Sequence, residues 1–283
     1  MPRISKPAVF DRGAFNVALA KSIGVQNLFL FDQASGQIVD FMNPQLINGL
    51  LTSGMAAGFD TAGRVITGNG TSGVQVIALP APMQTASAGN LVIAGRIKAA
   101  AVQSNTPGQA FGLSASTGTQ TNFGIGFDNS NPPKAGSTWL TGNGAGTTAL
   151  SVTAVNTWVT VAAQVTNMAS SPSAYAWING QPATSGQGGL ISGGVATMDE
   201  LVFCGQHRNA GYLRWLNGAI EWAAILAVPA TPMPDAWHWQ LYADDFPYNL
   251  FSTEISFVKA TAASFNPVWA RNNNTMIQAG MML

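Results

Sequence analysis

The chain has 283 residues, of which 47% are hydrophobic and only 8% charged, with no formal net charge. An ordinary soluble domain is about 25% charged, so there is no cationic field here for nucleic acid and no long-range steering of charged partners. The polarity comes instead from Gly, Ser, Thr, Asn and Gln, and the length suits one large β-domain with terminal extensions. No stretch reaches the roughly 20 apolar residues of a membrane span, and MPRISKPAVFDRG lacks the apolar run of a signal peptide. Cys204 is the sole cysteine, which excludes an intramolecular disulfide and fits synthesis in a reducing cytosol.

In chain order, residues 1–13 read as a polar, proline-bearing arm. Ala14 to Ser22 suits a short helix with Phe15 and Leu19 on one side, and Val25 to Asp32 a strand. Gly36 marks a turn, and Met42 to Ala57, apolar but broken by glycines, is undecided between helix and strand. From Gly58 the segments RVITGNG, VQVIAL, LVIAGRIKA, AFGLSAS, FGIGFD and STWLTG alternate with turn signals at the spacing of an antiparallel sandwich. Ala149 to Val165 holds two strands split at Asn156. Ala174 to Ile178 runs into Asn179 and Gly180, the strongest short hairpin signal. Leu201 to Gly205 supplies another strand.

The stretch from Leu213 to Phe251 is the most informative. In AIEWAAILAV one parity carries Ala219, Glu221, Ala223 and Ile225, and the other Ile220, Trp222, Ala224 and Leu226. Only Glu221 interrupts an apolar pattern on both, so this strand is expected to be covered on both faces. Regular alternation would bury Ile220, Trp222 and Leu226 together, with Trp158, in the core between two sheets. Pro229, Pro232 and Pro234 stop the strand. Asp235 to Tyr242 then suits a short helix with Trp237 and Leu241 inward, ended by Pro247.

These pieces, in this order, resemble the laminin-G-like, concanavalin A-like jelly rolls. LAKSIGVQNLFLFDQASGQIVDFMN resembles their entry, and AGFDTAGRVITGNGTSGVQVIALP the following strand pair. NTWVTVAAQV and AYAWINGQPA resemble the later strand and hairpin, and NGAIEWAAILAVPATPMPDAWHWQLYADDFPYNLF the closing strand and helix. The resemblance spans 14–251 and implies an all-β, two-sheet antiparallel sandwich with a short helix near the C-terminal end of the domain. Its closing pattern is similar to that of many bacteriophage virion proteins and bacterial lectin-like modules, which is a likeness of fold and not of activity. Calcium-binding members carry acidic and carbonyl ligands at a sandwich rim. Asp128, Asp199, Glu200, Asp244 and Asp245 show no such spacing, so no metal and no other cofactor is expected.

Reactive chemistry is sparse. Glycan hydrolysis by this architecture needs carboxylates sharing one face, whereas Asp199 and Glu200 are adjacent in sequence and point to opposite faces. Asp244 and Asp245 follow the helix and are expected to cap it or face solvent. His207 is expected in a polar loop and His238 at the helix edge. Cys204, within LVFCG, reads as an inert buried thiol rather than a nucleophile paired with His207. No catalytic residues are assigned and no enzyme is expected.

Of the eight tryptophans, Trp139, beside a polar loop, and Trp177, at a hairpin, are the candidates for exposed plates on which a sugar ring could stack. Residues 252–283 are too rich in apolar side chains for a disordered tail. They are expected to dock on neighbouring subunits through Phe257, Trp269, Met276 and Ile277. The sequence therefore predicts a homo-oligomeric structural protein of a phage particle, a head decoration or appendage subunit made in the host cytoplasm and contacting other virion proteins. The alternative is a lectin-like module for a host glycan. Neither reading involves nucleic acid or membrane.

Overall fold

The computed structural model describes residues 12–31, 38–43, 55–60, 63–79, 91–104, 107–116, 122–141, 144–166, 173–190, 198–208, 211–229, 231–251, 255–258 and 268–271. The expected arm falls largely outside them: of 1–13, only the start of a 3-10 turn, Arg12–Ala14, is described. It leads into helix α1 (Val17–Ser22), where Asn16 Oδ1 accepts from the Leu19 amide at 2.9 Å, satisfying one of the free amides of the first turn.

The strands are β1 (Val25–Phe29), β2 (Met55–Asp60), β3 (Gly63–Asn69), β4 (Gln75–Ala78), β5 (Leu91–Ala99), β6 (Gly108–Ser114) and β7 (Asn122–Phe127). There follow β8 (Lys134–Thr141), β9 (Gly144–Val152), β10 (Val159–Thr166), β11 (Ser173–Ile178), β12 (Gln181–Pro182), β13 (Gly189–Leu190) and β14 (Glu200–Phe203). A short hairpin, β15 (Gln206–Arg208) with β16 (Gly211–Leu213), precedes β17 (Asn217–Ala227). Helix α2 (Asp235–Ala243) and a 3-10 turn, Tyr248–Phe251, close the domain, and β18 (Ile255–Val258) pairs with β19 (Val268–Arg271) beyond it. Met55 to Ala57, undecided in sequence, begins β2.

Two antiparallel sheets face each other. One has nine strands, ordered β12-β11-β10-β5-β17-β3-β2 with β1 added to β17 and β13 to β11, and the other six, ordered β4-β14-β6-β7-β8-β9. This is the expected jelly-roll sandwich. The inner faces meet in a core that includes Phe29, Ile93, Phe111, Phe123, Ile125, Phe203, Ile220 and Ile225. At the Asn179–Gly180 turn both φ angles are positive, 51° and 78°, as a tight type I′ hairpin requires. A Cβ on Gly180 would come within 2.9 Å of Trp239 Cα, so the turn also seats α2.

The sandwich has a third layer. The back of the nine-stranded sheet is covered by α1, α2 and the 3-10 turn, forming a second core with Phe15, Leu19, Leu28, Val92, Ala94, Ala162, Trp222, Ala224, Leu226, Trp237, Leu241, Phe246, Tyr248 and Leu250. Register places Trp177, Ala162, Ala94, Ala224 and Leu28 in one row across five strands. Three consecutive alanines in that row make a trough into which the covering side chains settle.

Strand β17 serves both cores by breaking its own alternation. Ile220 pairs with Ile97 but Trp222 pairs with Arg96, so Glu221 is an extra residue, a β-bulge. This corrects the regular parity read from the sequence. Ile220 lies in the inter-sheet core while Trp222 and Leu226 lie in the back one, and Trp158 is only half buried, just before β10. Without the bulge Glu221 would share the inward face with Ala223 and Ile225, burying a carboxylate among hydrocarbon. With it, Glu221 turns to the back, where Tyr248 donates its phenolic hydrogen to Oε1 and Arg96 Nε lies 3.1 Å from Oε2.

Trp222 is 2% exposed and packs edge-on against Phe246, centroids 5.4 Å apart. Trp222→Ala is expected to cost about 3 to 5 kcal/mol, the range for truncating a large aromatic in a packed core, as a shift of the urea-unfolding midpoint. A nearly neutral substitution would contradict the three-layer packing.

Candidate functional site

Beside the end of α2, the described residues leave a shallow groove of two small adjoining hollows on the back of the sheet, lined mostly by buried side chains. Its floor is the row Thr160, Arg96 and Trp222, next to the alanine row. Leu241, Tyr242, Asp245, Phe246 and Tyr248 form the covered wall, and Gly180 and Trp177 close the end beside β11. Trp158 stands at the open rim, half buried, with Lys98 Nζ 5.1 Å and the Arg96 guanidinium carbon 5.9 Å from its ring centre. Tyr242, on α2, has its ring 5.8 Å from that of Trp239, which at 47% exposure is the most exposed tryptophan among the described residues. Aromatic surface with a few polar groups is the composition of a small-molecule site. The main chain of Thr160 is tied to the Asn179 turn, donating to Asn179 Oδ1 and accepting from its amide. No hydrogen bond forms at its hydroxyl among the described residues.

Of the two tryptophans chosen from sequence as exposed plates, the structure corrects one, Trp177. Trp177 is 2% exposed: it faces the back of the sheet under α2, donates from Nε1 to Asp235 Oδ1 at 2.7 Å, and stacks on His238 at 3.5 Å. Being next to a hairpin turn did not expose it, because that turn is where the helix lands. Trp139 belongs to β8, opposite Phe123 and Gly146, and its side chain lies outside the described residues. Trp158, a core position by its sequence pattern, is half buried, and Trp239 is the more exposed of the two. The signal in the sequence for the partial exposure of Trp158 is its place two residues after Asn156, just before a strand begins.

His238 is not at the helix edge. It is 2% exposed, flat against Trp177 and edge-on to Trp237 at 4.8 Å, and neither ring nitrogen has a hydrogen-bond partner among the described residues. Burial holds its pKa well below the usual histidine value. His207 lies not in a loop but in β15, where Nδ1 is 2.8 Å from Glu200 Oε2 and the ring is 4.5 Å from that of Tyr212. Burial and the Glu200 charge raise the Tyr212 pKa. No nucleophile is hydrogen-bonded to that imidazole among the described residues. Cys204 sits one residue past β14, in a left-handed conformation (φ 59°), yet its thiol stays in the inter-sheet core and burial pushes its pKa up to about 12. A thiol so protonated is no nucleophile.

The carboxylates are occupied by the fold. Asp199 accepts from the Ser116 amide at 2.7 Å and hydroxyl at 2.5 Å, and Asp128 from Ser130 and the Lys134 amide. Asp40, fully buried, takes hydrogen bonds from the Leu28 and Met42 amides, Asn27 and Asn43, although burial still raises its pKa. Asp244 and Asp245 do not face solvent. Asp244 is the C-cap of α2, its carboxylate accepting from Gln240, and Asp245 lies in the groove wall with φ 55°. Among the described residues no three metal-ligating side chains come together. Of the expected docking residues, Phe257 and Trp269 are register partners in the β18–β19 pair, and Met276 and Ile277 lie outside the described residues.

No family model matches the chain, and no curated protein matches it. Solved structures do. A Trypanosoma rangeli sialidase in complex with sialic acid is 12% identical with a TM-score of 0.52, covering 81% of this chain and 34% of that one. The same enzyme with 2,3-difluorosialic acid, a covalent intermediate, is 10% identical with a TM-score of 0.53 over 81% and 34%. A Ruminococcus gnavus sialidase CBM40 bound to α2,3-sialyllactose gives 14% identity and a TM-score of 0.41 over 55% and 81%. The chain spans about a third of the length of the T. rangeli sialidases, and at such identity the likeness is one of fold.

His238 gives the site a pH signature. Its folded pKa is lowered, so the stability conferred by the neutral ring is complete above the unfolded value of about 6.5 and is lost as pH falls below it. Wild-type stability is expected to drop by up to about 1.4 kcal/mol per pH unit more steeply than that of His238→Phe, which keeps the stack on Trp177. Chemical denaturation of both proteins between pH 7 and 5 checks this, and parallel profiles would contradict it.

Proposed function

We propose that this domain is a non-catalytic carbohydrate-binding module and that the groove beside α2 holds the glycan. The observation that carries the reading is that Tyr242 and Asp245 wall a hollow floored by Thr160 and Arg96, with the half-buried Trp158 ring 5.9 Å from the Arg96 guanidinium carbon. The apolar face of a pyranose rests on an aromatic ring, and its hydroxyls need donors and acceptors at the edges; the groove supplies both. The reading is also supported by solved structures of the same fold being sialidases determined with sialic acid or its analogues. Catalysis finds less support, since the carboxylates nearest the groove, Glu221 and Asp245, are buried at 1% and 9% exposure and Glu221 is already engaged by Tyr248 and Arg96.

Trp158→Ala and Tyr242→Ala are each expected to weaken binding to the glycans retained on an array by at least about tenfold, the loss of one well-placed aromatic contact. Thermal melting should stay cooperative, because neither ring is in a core cluster. Binding unchanged in both variants would remove the groove from consideration.

A second reading has one observation in its favour. The β18–β19 pair stands outside both sandwich sheets and sets Phe257 opposite Trp269, which suits a segment that mounts the module on a larger assembly such as a phage particle, in several copies. The back core is closed by Leu250, whose carbonyl accepts from the Asn16 amide at 2.9 Å. Truncation after Phe251 is therefore expected to leave a cooperatively melting domain that no longer oligomerises in sedimentation runs. Unfolding of the truncated chain would assign the tail to the intramolecular core, and unchanged assembly would refute docking through it.

A further inference from the structure

We propose that helix α2 is an acid-released strap: protonation of His238 lifts it off the back of the nine-stranded sheet while both of its ends and the sandwich beneath stay in place. The proposal does not depend on the glycan reading. His238 is 2% exposed, lies flat on Trp177 with ring centres 3.5 Å apart, and meets Trp237 edge-on at 4.8 Å. Both of its ring nitrogens are buried without a hydrogen-bond partner among the described residues, a state few polar groups keep in a folded protein. The hollow beside the ring, about 20 Å³, has room for roughly one water, and Ala94, Ala162, Trp222, Leu241 and Phe246 are among its walls. An imidazolium there would lose the hydration of a full charge.

The surrounding groups return little of that hydration. On α2 itself, Asp235 has its Oδ1 on Trp177 Nε1 at 2.7 Å, Tyr242 offers a phenol, and Asp244 accepts from Gln240. Strand β11 presents the Trp177 ring with Tyr175 beyond it, β10 Thr160 and Ala162, β5 Ala94, and β17 Trp222. Arg96 is paired with Glu221, and it lines the adjoining hollow with Asp245, not this one. The indole face attracts a cation, but burial is what sets the pKa of the ring, and it lowers it. The two ends of the helix are held separately. Gln164 accepts from the Met233 amide at 2.8 Å and donates to the Thr231 carbonyl at 3.0 Å before α2 begins. After it, Tyr248 donates to Glu221, and the Leu250 carbonyl accepts from the Asn16 amide. Neither clasp uses a side chain of α2, so the helix can open locally by giving up the packing of Trp237, His238 and Leu241 and the Trp177–Asp235 bond.

The closed strap favours the neutral ring, so its hold is complete above the free-histidine value of about 6.5. Below that, the opening constant rises by up to about tenfold per pH unit until the closed form itself takes the proton. Hydrogen exchange of the full chain between pH 7 and 5, read by mass spectrometry and corrected for the intrinsic rate, tests this. Peptides of α2 are expected to lose protection at least about fivefold between pH 6.5 and 5, and those of β5, β6 and β7 less than about twofold. His238→Phe, which keeps a ring on Trp177, should flatten the α2 response, and His238→Leu serves as the second variant if the larger ring does not fold. An α2 response no steeper than that of the sheets overturns the proposal, as does one that survives in the folded variant. Parallel loss of protection along the whole chain also overturns it, because that is global acid unfolding and not release of a strap.

Discussion

Strand β17 has to serve two cores at once, and the one extra residue at Glu221 makes that possible. On one edge it pairs with β5 along almost its whole length; on the other it pairs with β3 up to Ile220 and with β1 from Ala223 onward. The bulge falls in the gap between those two partners, where an unpaired residue breaks no ladder on that side. Its consequence is chemical as well as geometric. Glu221 and Trp222 emerge together on the back of the sheet, the first joining Arg96 and Tyr248, the second filling the space beneath Phe246. The carboxylate thereby becomes the tether of the 3-10 turn instead of a charge stranded in hydrocarbon.

The groove is a by-product of how that third layer is attached. Gln164 fixes the proline-rich entry to α2 by accepting from the Met233 amide and donating to the Thr231 carbonyl, and Gly180 lets the helix approach the β11 hairpin closely. His238 and Leu241 then fill the alanine trough. Past Tyr242 the chain turns through Asp244 and Asp245 and packs onto Trp222 through Phe246, and Thr160 and Trp158 are left half buried among the described residues. The residues that wall the groove are the same ones that hold the back core shut. A ligand there meets a surface already ordered by folding, so little conformational entropy remains to be lost on binding.

Much of this architecture was legible in the sequence, for physical reasons that also mark where legibility ends. Strand LVIAGRIKA, the Asn179–Gly180 turn and the helix after the prolines each carry a local signal: alternation, a left-handed turn pair and a stop followed by inward Trp237 and Leu241. The bulge carries none, because AIEWAAILAV is apolar on both parities and a register slip within it costs no pattern. Since side-chain exposure depends on which element lands where, Trp177 was misjudged: its hairpin is covered by a helix some sixty residues later in the chain, its bond to Asp235 being the link. Cys204 was placed in a strand that in fact ends at Phe203, yet its burial was anticipated because the apolar run around it, not the strand boundary, decides that. Glu200 and His207 meet because the chain bends at Cys204 and Gly205 between β14 and β15, a bend that the apolar run LVFCG does not announce.

A shallow, rigid groove with few polar groups sets a limit on affinity. Two aromatic edges and a handful of hydroxyl and carboxylate contacts, each exchanging water for protein, leave a small net gain per site. Rigidity slows neither association nor release, so a single groove would hold its ligand briefly. Strong attachment to a surface then has to come from several grooves acting together, each raising the local concentration of the next. If the proposed glycan reading and the proposed mounting through the segment after Phe251 both hold, each would strengthen the other: a weak site gains most when copies are gathered on one support, and it would lose little in rigidity, because the back core is complete before that segment begins.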